Sequence, residues 1–316
     1  MIGIDVGGAN LKVADESGIH IHYCPLWEKA PISDLLLPYA RIKNDPAAAV
    51  MSGELADCFE NKLQGISFIV SAVRTVFPNV RFYGTDALFH DRVVPQLAAA
   101  NWLASADYLR SRYPDAVLLD IGSTTADVVP LNRFRSLLGM TDMKRLQAGY
   151  LLYTGMLRTS VSTLLRCVDL AGIPTPVSTE YFAASADAHL VLGHITPGLY
   201  TCDTPDHKEK TRAASLRRLA RVVCSDLDEI GVDGAEQIAR QFWEVQSGMI
   251  CDQVRNVMES SGARRIIVAG IGAPLFAREL DGIDLTQEFG PAADALPAFA
   301  VRNLALAEMG NSTRDR

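Results

Sequence analysis

The sequence lacks any long apolar run. No segment of the 316 residues approaches the roughly 20 consecutive apolar residues that a membrane-spanning helix needs, so we expect no membrane partner. The first residues, MIGIDVGG, also lack a basic stretch followed by an apolar segment. We therefore expect no secretion signal and a cytoplasmic location.

Positive charge is scarce as well. The chain has 30 Lys and Arg residues against 37 Asp and Glu residues, which gives a net charge of −7. This acidic excess makes a large basic surface for DNA or RNA phosphates improbable, and we expect no nucleic-acid partner. Hydrophobic residues make up 48% of the chain and charged residues 21%, which excludes a disordered protein and favours a globular one.

Cysteine is rare and scattered. The six cysteines form no C-x-x-C pair and show no spacing typical of a metal site. We expect them to be buried, reduced thiols. Composition thus excludes several classes of protein without indicating any chemistry.

One short pattern occurs twice in the chain. Residues 4–10 (IDVGGAN) and 119–125 (LDIGSTT) both follow an aspartate with a β-branched residue, a glycine and small or polar residues. Apolar residues precede and follow each copy. This arrangement predicts a strand, a tight turn and a returning strand, which we call the first hairpin (residues 1–14) and the second hairpin (residues 117–129).

The residue types of both turns suit an anion, because small residues let consecutive backbone N–H groups approach phosphate oxygens closely. Lys12 could add a positive charge, although it could also be an ordinary exposed strand lysine. Two such turns facing each other would hold a diphosphate or triphosphate. The predicted phosphate-binding residues are Gly7, Gly8, Asn10, Lys12, Gly122, Ser123, Thr124 and Thr125.

An aspartate at the end of each first strand would not bind phosphate directly. Asp5 and Asp120 are instead predicted to hold Mg²⁺, mostly through water, because this ion prefers carboxylates and keeps much of its hydration. The alternative is that both carboxylates only form hydrogen bonds within their turns.

A third glycine turn follows the apolar run 266–269. We expect Gly270, Gly272 and Ala273 to form a turn against which a nucleotide base or sugar could lie, or a plain connection between a strand and a helix. In the helix before it, Asp233 is a candidate cap. Ile238, Phe242, Val245 and Met249 recur at helical spacing and predict its buried face.

These three elements resemble the motifs of the actin-like ATPase superfamily of sugar kinases, heat-shock chaperones and actin. Within it the chain is similar to the hydantoinase/oxoprolinase-related branch of tetrahydromethanopterin-linked one-carbon transfer proteins, which includes a coupling enzyme of methanofuran biosynthesis. The residues that carry this closer resemblance are 2–12, 51–57, 83–86 and 153–155. The resemblance spans nearly the whole chain in the right order.

The resemblance implies a two-lobed α/β fold, a duplicated actin-like (ribonuclease H-like) architecture with a central cleft. We expect a first lobe at residues 1–113, a second lobe at 114–290, and a last helix within 291–316 that packs back on the first lobe. Residues 137–170 are expected to be mostly helical. A helix is expected from Leu55 to about Gln64, which could continue to Val76 after a break at Gly65.

The resemblance also implies a reaction. A phenol oxygen of a tyramine-like or tyrosine-like acceptor attacks a furanylmethyl diphosphate, pyrophosphate leaves and an aryl ether forms. Glu54 and Asp86 follow strand ends, where ligands of α/β sheets gather, and are candidates to accept the phenol proton. Glu54 could instead be a glutamate favoured by a helix start.

Weaker candidates for an acceptor pocket are Tyr153, Thr154, Asp203 and Lys208. Two departures from the family pattern bear on this side of the site: His207 stands where glycine is expected, and Ser160 where proline is expected.

Two alternatives remain open. The chain could be an ATP-dependent small-molecule kinase or a hydantoinase-like amide hydrolase, with ATP as a cofactor beside Mg²⁺. It could also be an actin-like protein that binds nucleotide without catalysis. In every case the expected partner is a small phosphorylated molecule, and a homo-oligomer remains open.

Overall fold

The structure, a computed structural model, describes residues 1–40 and 45–314. Its strands are β1 (Ile2–Val6), β2 (Asn10–Ala14), β3 (Ile19–Tyr23), β4 (Ala47–Met51), β5 (Arg81–Tyr83), β6 (Phe89–His90), β7 (Ala116–Ile121), β8 (Ala126–Pro130), β9 (Leu151–Leu152), β10 (Cys167–Leu170), β11 (Ile173–Pro176), β12 (Arg265–Ala269) and β13 (Ile283–Asp284). Its helices are α1 (Ile32–Leu36), α2 (Lys62–Val76), α3 (Asn101–Leu109), α4 (Phe134–Leu137), α5 (Asp142–Ala148), α6 (Val161–Leu164), α7 (Ser185–Val191), α8 (Arg212–Arg221), α9 (Leu227–Ser261), α10 (Ala273–Glu279), α11 (Thr286–Phe289) and α12 (Leu296–Arg314). Among these helices none is both long and apolar enough to cross a membrane.

Two sheets share one topology. The first has the strand order β3-β2-β1-β4-β5-β6 and the second β13-β12-β7-β8-β9. In each, an antiparallel meander of three strands comes first, and two later strands then join parallel to its first strand. The second sheet therefore repeats the first except for β6. This duplication confirms the predicted actin-like, ribonuclease H-like α/β fold.

The core is layered around these sheets. Helices α1 and α2 cover one face of the first sheet, and α9 and α10 cover the far face of the second. Helices α3 and α12 lie between the sheets, where Trp102 packs in one apolar cluster with Val50 and Leu118. Because β1 and β4 are buried on both faces, their sequences are continuously apolar apart from Asp5.

The predicted lobes each contain one sheet. Helix α12 contacts β1, β4 and α3, although it follows the second sheet in the chain. Residues 315 and 316 of the predicted last helix lie outside the described residues. The boundary between residues 113 and 114 stays a prediction.

Several predicted helices were wrong in extent. Residues 137–170 form short helices and strands, because Gly139 and Gly149 adopt left-handed conformations (φ 71° for both) that interrupt a helix. Helix α2 begins only at Lys62, after Asn61, whose side chain accepts a hydrogen bond from the Gln64 amide at 3.0 Å. The helix also runs through Gly65 without the predicted break; this glycine allows close packing, since a Cβ there would collide with the Glu54 carbonyl oxygen. The expectation of buried thiols was also wrong for Cys167 and Cys224, which are exposed.

The buried face of α9 differs from the prediction as well. Ile238 and Phe242 are buried, but Val245 and Met249 are largely exposed. The buried face instead continues through Gln246 and Ile250, because the pattern advances by four residues rather than three. The helix begins at the Asp226 cap, not at Asp233, and kinks at Gly231.

Candidate phosphate-binding site

The two predicted hairpins form with the same backbone. Strands β1 and β2 are joined by a turn in which the Gly7 N–H donates to the Asn10 carbonyl at 2.9 Å. Strands β7 and β8 are joined by a turn in which the Gly122 N–H donates to the Thr125 carbonyl at 3.0 Å. Both turns are partly exposed, so their remaining N–H groups can meet a ligand.

A glycine just after the neighbouring strand packs against each hairpin. The Gly53 N–H donates to the Val6 carbonyl at 3.1 Å, and the Gly272 N–H donates to the Ile121 carbonyl at 3.3 Å. A Cβ at Gly272 would lie 2.6 Å from Ile121 Cγ2. The segment 270–273 is therefore the counterpart, in the second half, of the segment 51–54.

This close packing accounts for the glycines of the predicted nucleotide-type turn. Gly270 has φ 83°, and a Cβ there would lie 2.8 Å from Asp120 Oδ1. Ala273 begins α10. The turn thus supports the second hairpin, and contact with a nucleotide base or sugar stays a prediction.

The structure brings the two aspartates of the hairpins into one site. Asp5 lies opposite Lys12 in the β1–β2 register, and Asp120 lies opposite Asp127 in the β7–β8 register. The charge of Lys12 lowers the pKa of Asp120 and the charge of Asp5 raises it, so the two halves of the chain meet at this site. Lys12 is not merely an exposed strand lysine: its Nζ donates to the Asp294 carbonyl at 2.8 Å.

Burial dominates the electrostatics of this site. It raises the pKa of Asp5 to about 6 and that of Asp120 to about 7, while Lys12 lowers the pKa of both carboxyls. Burial also raises the pKa values of Asp127 and Asp294. Asp5 Oδ1 has no hydrogen-bond partner among the described residues. The site is therefore an acidic pocket whose carboxylates outnumber the positive charges beside them.

Such a pocket fits Mg²⁺. Its donors are carboxylate oxygens, one of them buried and unpaired, and this ion is commonly held by one or two carboxylates together with water and substrate phosphates. In residues 1–40 and 45–314, no three His, Cys, Asp or Glu side chains form a complete metal site by themselves. Asp5 and Asp120 are thus suited to the water-mediated role expected for them.

Arg145 was missed by the sequence analysis. Its guanidinium is buried, forms ion pairs with Asp127 and Asp142, and lies 4.2 Å from the centroid of the Trp102 ring. It therefore fixes Asp127 beside Asp120. The register of the second hairpin could have indicated Asp127, which occupies the position of Lys12 in the first, but no local pattern indicates Arg145.

Glu54 lies at the edge of the same cleft. Its side chain is buried, and Oε2 has no hydrogen-bond partner among the described residues. Burial, with a smaller contribution from Asp142, raises the pKa of Glu54 to about 7, although the backbone N–H groups of Glu54 and Ala99 act to lower it. Because its pKa lies near neutrality and its Oε2 has no hydrogen-bond partner among the described residues, the Glu54 carboxylate can accept a proton at neutral pH. Glu54 also precedes α2 by several residues, so it is not a helix-start glutamate.

Asp86 has a different environment. Its carboxylate accepts from His90 Nε2 at 3.0 Å and from the Leu88 N–H at 3.2 Å, both within the β5–β6 connection. These bonds give it a structural function in that turn. Its catalytic role stays a prediction.

The four acceptor-pocket candidates do not form one cluster of contacts. Thr154 is buried and accepts from Gln246 Nε2 at 2.8 Å, whereas Tyr153 is 72% exposed. Asp203 accepts from the Tyr23 hydroxyl at 3.2 Å, which joins the two halves of the chain, and Lys208 is exposed. Their role in binding an acceptor stays a prediction.

Gly155 offers a test of the second hairpin, because a Cβ there would lie 2.6 Å from the Thr124 nitrogen. We expect Gly155→Ala to displace the turn, to cost about 1–3 kcal/mol by overpacking, and to weaken Mg²⁺-pyrophosphate binding at least tenfold. Thermal unfolding and titration calorimetry measure both effects.

The matched control is Gly248→Ala in α9, where a Cβ would meet no atom within 4 Å. It should raise the melting temperature, because alanine favours a helix by roughly 1 kcal/mol over glycine. Unchanged pyrophosphate binding in Gly155→Ala would contradict the assigned role of the second hairpin.

The two sheets of matching strand order and the paired hairpins define a protein of the actin-like fold. The family model described as hydantoinase/oxoprolinase matches residues 45–309. The chain belongs to the hydantoinase/oxoprolinase family.

Two relatives carry the same name, (4-{4-[2-(gamma-L-glutamylamino)ethyl]phenoxymethyl}furan-2-yl)methanamine synthase. The one from Methanocaldococcus jannaschii is 33% identical over 320 aligned residues, covering 96% of this chain and 97% of its own. The one from Methanococcus vannielii is 37% identical over 55% of this chain and 79% of its own. A solved ROK family glucokinase from Streptomyces griseus is a distant likeness, with 14% identity, a TM-score of 0.43 and coverage of 96% of this chain and 99% of its own.

Proposed function

We propose that this protein is an enzyme of methanofuran-type coenzyme synthesis that joins a furanylmethyl diphosphate to the phenol oxygen of a tyramine-like or tyrosine-like acceptor. The observation that carries the proposal is the near full-length similarity to a synthase whose name contains a phenoxymethyl-furan, the aryl ether that this reaction would form. The paired hairpins and Glu54 would supply the groups that such a reaction needs.

The reaction balances without a redox partner. The phenol oxygen forms a bond to the methylene carbon of the furan, and the bond from that carbon to the diphosphate oxygen breaks. Pyrophosphate leaves with the bonding electron pair, and the phenol proton passes to a base.

The hairpin turns would bind the leaving diphosphate. The N–H groups of Gly7 and Gly122 are used within their turns, so the donors would be the backbone N–H groups of Gly8, Ser123 and Thr124 together with the Ser123 and Thr124 hydroxyls. They would stabilise the negative charge that grows as the bond breaks. Such preorganised donors stabilise the transition state more than the ground state. Asp5 and Asp120 would hold Mg²⁺, which supplies further charge neutralisation to the diphosphate.

Glu54 would accept the phenol proton. A free phenol has a pKa of about 10 and is mostly protonated near neutrality, so the attack needs a base. The unpartnered Oε2 of Glu54 and its pKa of about 7 suit this task. Beyond the effect of burial, Asp142 repels the negative charge of Glu54 and so raises its pKa. The ion pair of Arg145 with Asp142 would limit this repulsion.

The test is release of pyrophosphate by the purified protein when it is given the furanylmethyl diphosphate, a tyramine-type phenol and Mg²⁺. We expect pyrophosphate and the aryl ether in equal amounts, above a control without enzyme. A melting-temperature comparison with ATP, ADP and pyrophosphate, each with Mg²⁺, should show the largest rise with pyrophosphate. ADP formation, or a larger rise with ATP than with pyrophosphate, would support the kinase or hydrolase alternative instead.

A further inference from the structure

Arg158 is a cation without an acidic partner in the cleft. Its side chain is half-buried, and its guanidinium forms no ion pair or hydrogen bond within the described part of the chain. The guanidinium stacks on an aromatic ring: its central carbon lies 4.6 Å from the centroid of the Trp27 ring. Burial raises the pKa values of Tyr23, Tyr181 and Cys202, and the guanidinium charge acts to lower them. A planar guanidinium stacked in this way keeps its N–H donors free for a ligand.

Both members of this stack are tied to the hairpins by backbone hydrogen bonds. The Arg158 N–H donates to the Ser123 carbonyl at 3.0 Å, so its backbone rests on the second hairpin. Trp27 follows Leu26, whose N–H donates to the Gly8 carbonyl of the first hairpin at 3.0 Å. The stack therefore joins the two hairpin turns across the cleft.

The other cations beside the hairpins are already engaged. Lys12 donates to the Asp294 carbonyl, and Arg145 pairs with Asp127 and Asp142. The site contains four carboxylates, and Lys12 and Arg145 already offset part of their negative charge. A diphosphate that enters therefore needs a further cation. Arg158 is the arginine next to the turns whose donors remain available, and an arginine fork matches phosphate oxygens in a bidentate way.

We propose that Arg158, held on Trp27, binds the phosphoryl oxygens of the diphosphate between the two hairpins. The inference rests on the proposed function and adds the residue that recognises its leaving group. The oxygen that linked carbon to phosphorus gains negative charge as the bond to carbon breaks, so the guanidinium would also favour that step. It would act alongside Mg²⁺, from the side of the pocket formed by Trp27.

The test is titration calorimetry of pyrophosphate in the presence of Mg²⁺. We expect Arg158→Ala to weaken binding by about tenfold to a hundredfold, because a hydrogen bond to a charged group is lost. Arg158→Lys should recover part of this loss, since it restores the charge but not the fork. The matched control is Arg166→Ala, an exposed arginine of the same half with no side-chain partner within the described residues.

Trp27 supplies a second readout that does not depend on turnover. Binding of Mg²⁺-pyrophosphate should change tryptophan fluorescence in the wild type and in Trp102→Phe, but not in Trp27→Phe. A second titration with the phenol acceptor, or with a carboxylate-bearing acceptor, shows whether Arg158 serves that substrate instead.

The outcomes separate the two proposals. Loss of pyrophosphate affinity in Arg158→Ala with normal affinity in Arg166→Ala supports the inference. If Arg158→Ala binds pyrophosphate as tightly as the wild type does, the inference is overturned and the proposed function stays intact. The same holds if Arg158→Ala lowers only the affinity for the acceptor. A wild-type protein that does not bind Mg²⁺-pyrophosphate overturns both.

Discussion

Replacing Asp120 with asparagine should lower kcat by about three orders of magnitude, because several kcal/mol of charge stabilisation by a metal would be lost, at roughly tenfold per 1.4 kcal/mol. The substitution keeps the size of the side chain and removes only its charge. In the folded protein that charge lies in a buried acidic pocket beside Asp5 and Asp127. Steady-state release of pyrophosphate measures the effect.

The same substitution should leave the melting temperature unchanged or slightly higher. Burial raises the pKa of Asp120 in the folded protein above its value in the unfolded chain. Above the unfolded-state pKa, ionising this buried carboxyl therefore lowers the free energy of unfolding. A neutral amide removes this cost. A loss of activity together with a lower melting temperature would therefore indicate misfolding rather than the loss of a metal ligand.

The matched control is Asp115→Asn. Asp115 immediately precedes β7, whereas Asp120 lies near the other end of that strand. Asp115 is partly exposed and pairs with Arg265 at 3.4 Å, at the edge of the sheet away from the turn. Its substitution should change kcat less than twofold. A fully active Asp120→Asn variant would contradict the metal-side role of this carboxylate.

Replacing Glu54 with glutamine should lower kcat by about 10²–10⁴-fold, the usual contribution of a general base. Affinity for pyrophosphate should change little, because Glu54 lies beside the hairpin turns rather than within them. Turnover measured with the furanylmethyl diphosphate and phenol, compared with calorimetric binding of pyrophosphate, separates the two effects.

The pH dependence gives a sharper signature for Glu54. The pKa of this carboxyl is raised to about 7, and only its deprotonated form can accept the phenol proton. For the wild type, kcat/KM should therefore rise about tenfold per pH unit below this pKa and level off above it. The measurement is made at saturating Mg²⁺, because Asp5 and Asp120 titrate in the same range and a bound metal keeps them deprotonated. Under this condition the rise should vanish in Glu54→Gln, and the low residual rate should vary little with pH.

Glu60→Gln is the control for this variant, because Glu60 is exposed in the connection between Glu54 and α2. It should retain the wild-type pH profile. If Glu54→Gln keeps the acidic limb of the profile, another group is the base, and Asp86 becomes the candidate to test next.

The hairpins could be predicted from local sequence because their physics is local. A glycine in a tight turn between two short apolar runs is sufficient to predict a hairpin. The duplicated fold was implied by the resemblance of these motifs to the actin-like superfamily. The match of strand order between the two sheets extends this repeat to whole lobes. Glu54 could be located as well, since the end of a buried strand is visible in the sequence.

Helix extents were predicted less well. Between residues 137 and 170, Gly139 and Gly149 end helices that apolar spacing alone would continue. In α9 the buried face includes Gln246, whose side chain donates to Thr154 Oγ1 at 2.8 Å and so satisfies its polar group. A pattern of apolar residues cannot show that a buried glutamine has a partner elsewhere in the chain.

The sequence alone therefore determined the paired turns, their aspartates and the family, because each depends on neighbouring residues in the chain. Only the tertiary structure decided which charges meet in the cleft. Arg145 and Asp127 come together through the fold of the second half, and Arg158 reaches Trp27 across the two halves. The physical reason is that Coulomb and stacking interactions depend on distance in space, and residues far apart in the chain leave no local pattern of their contact.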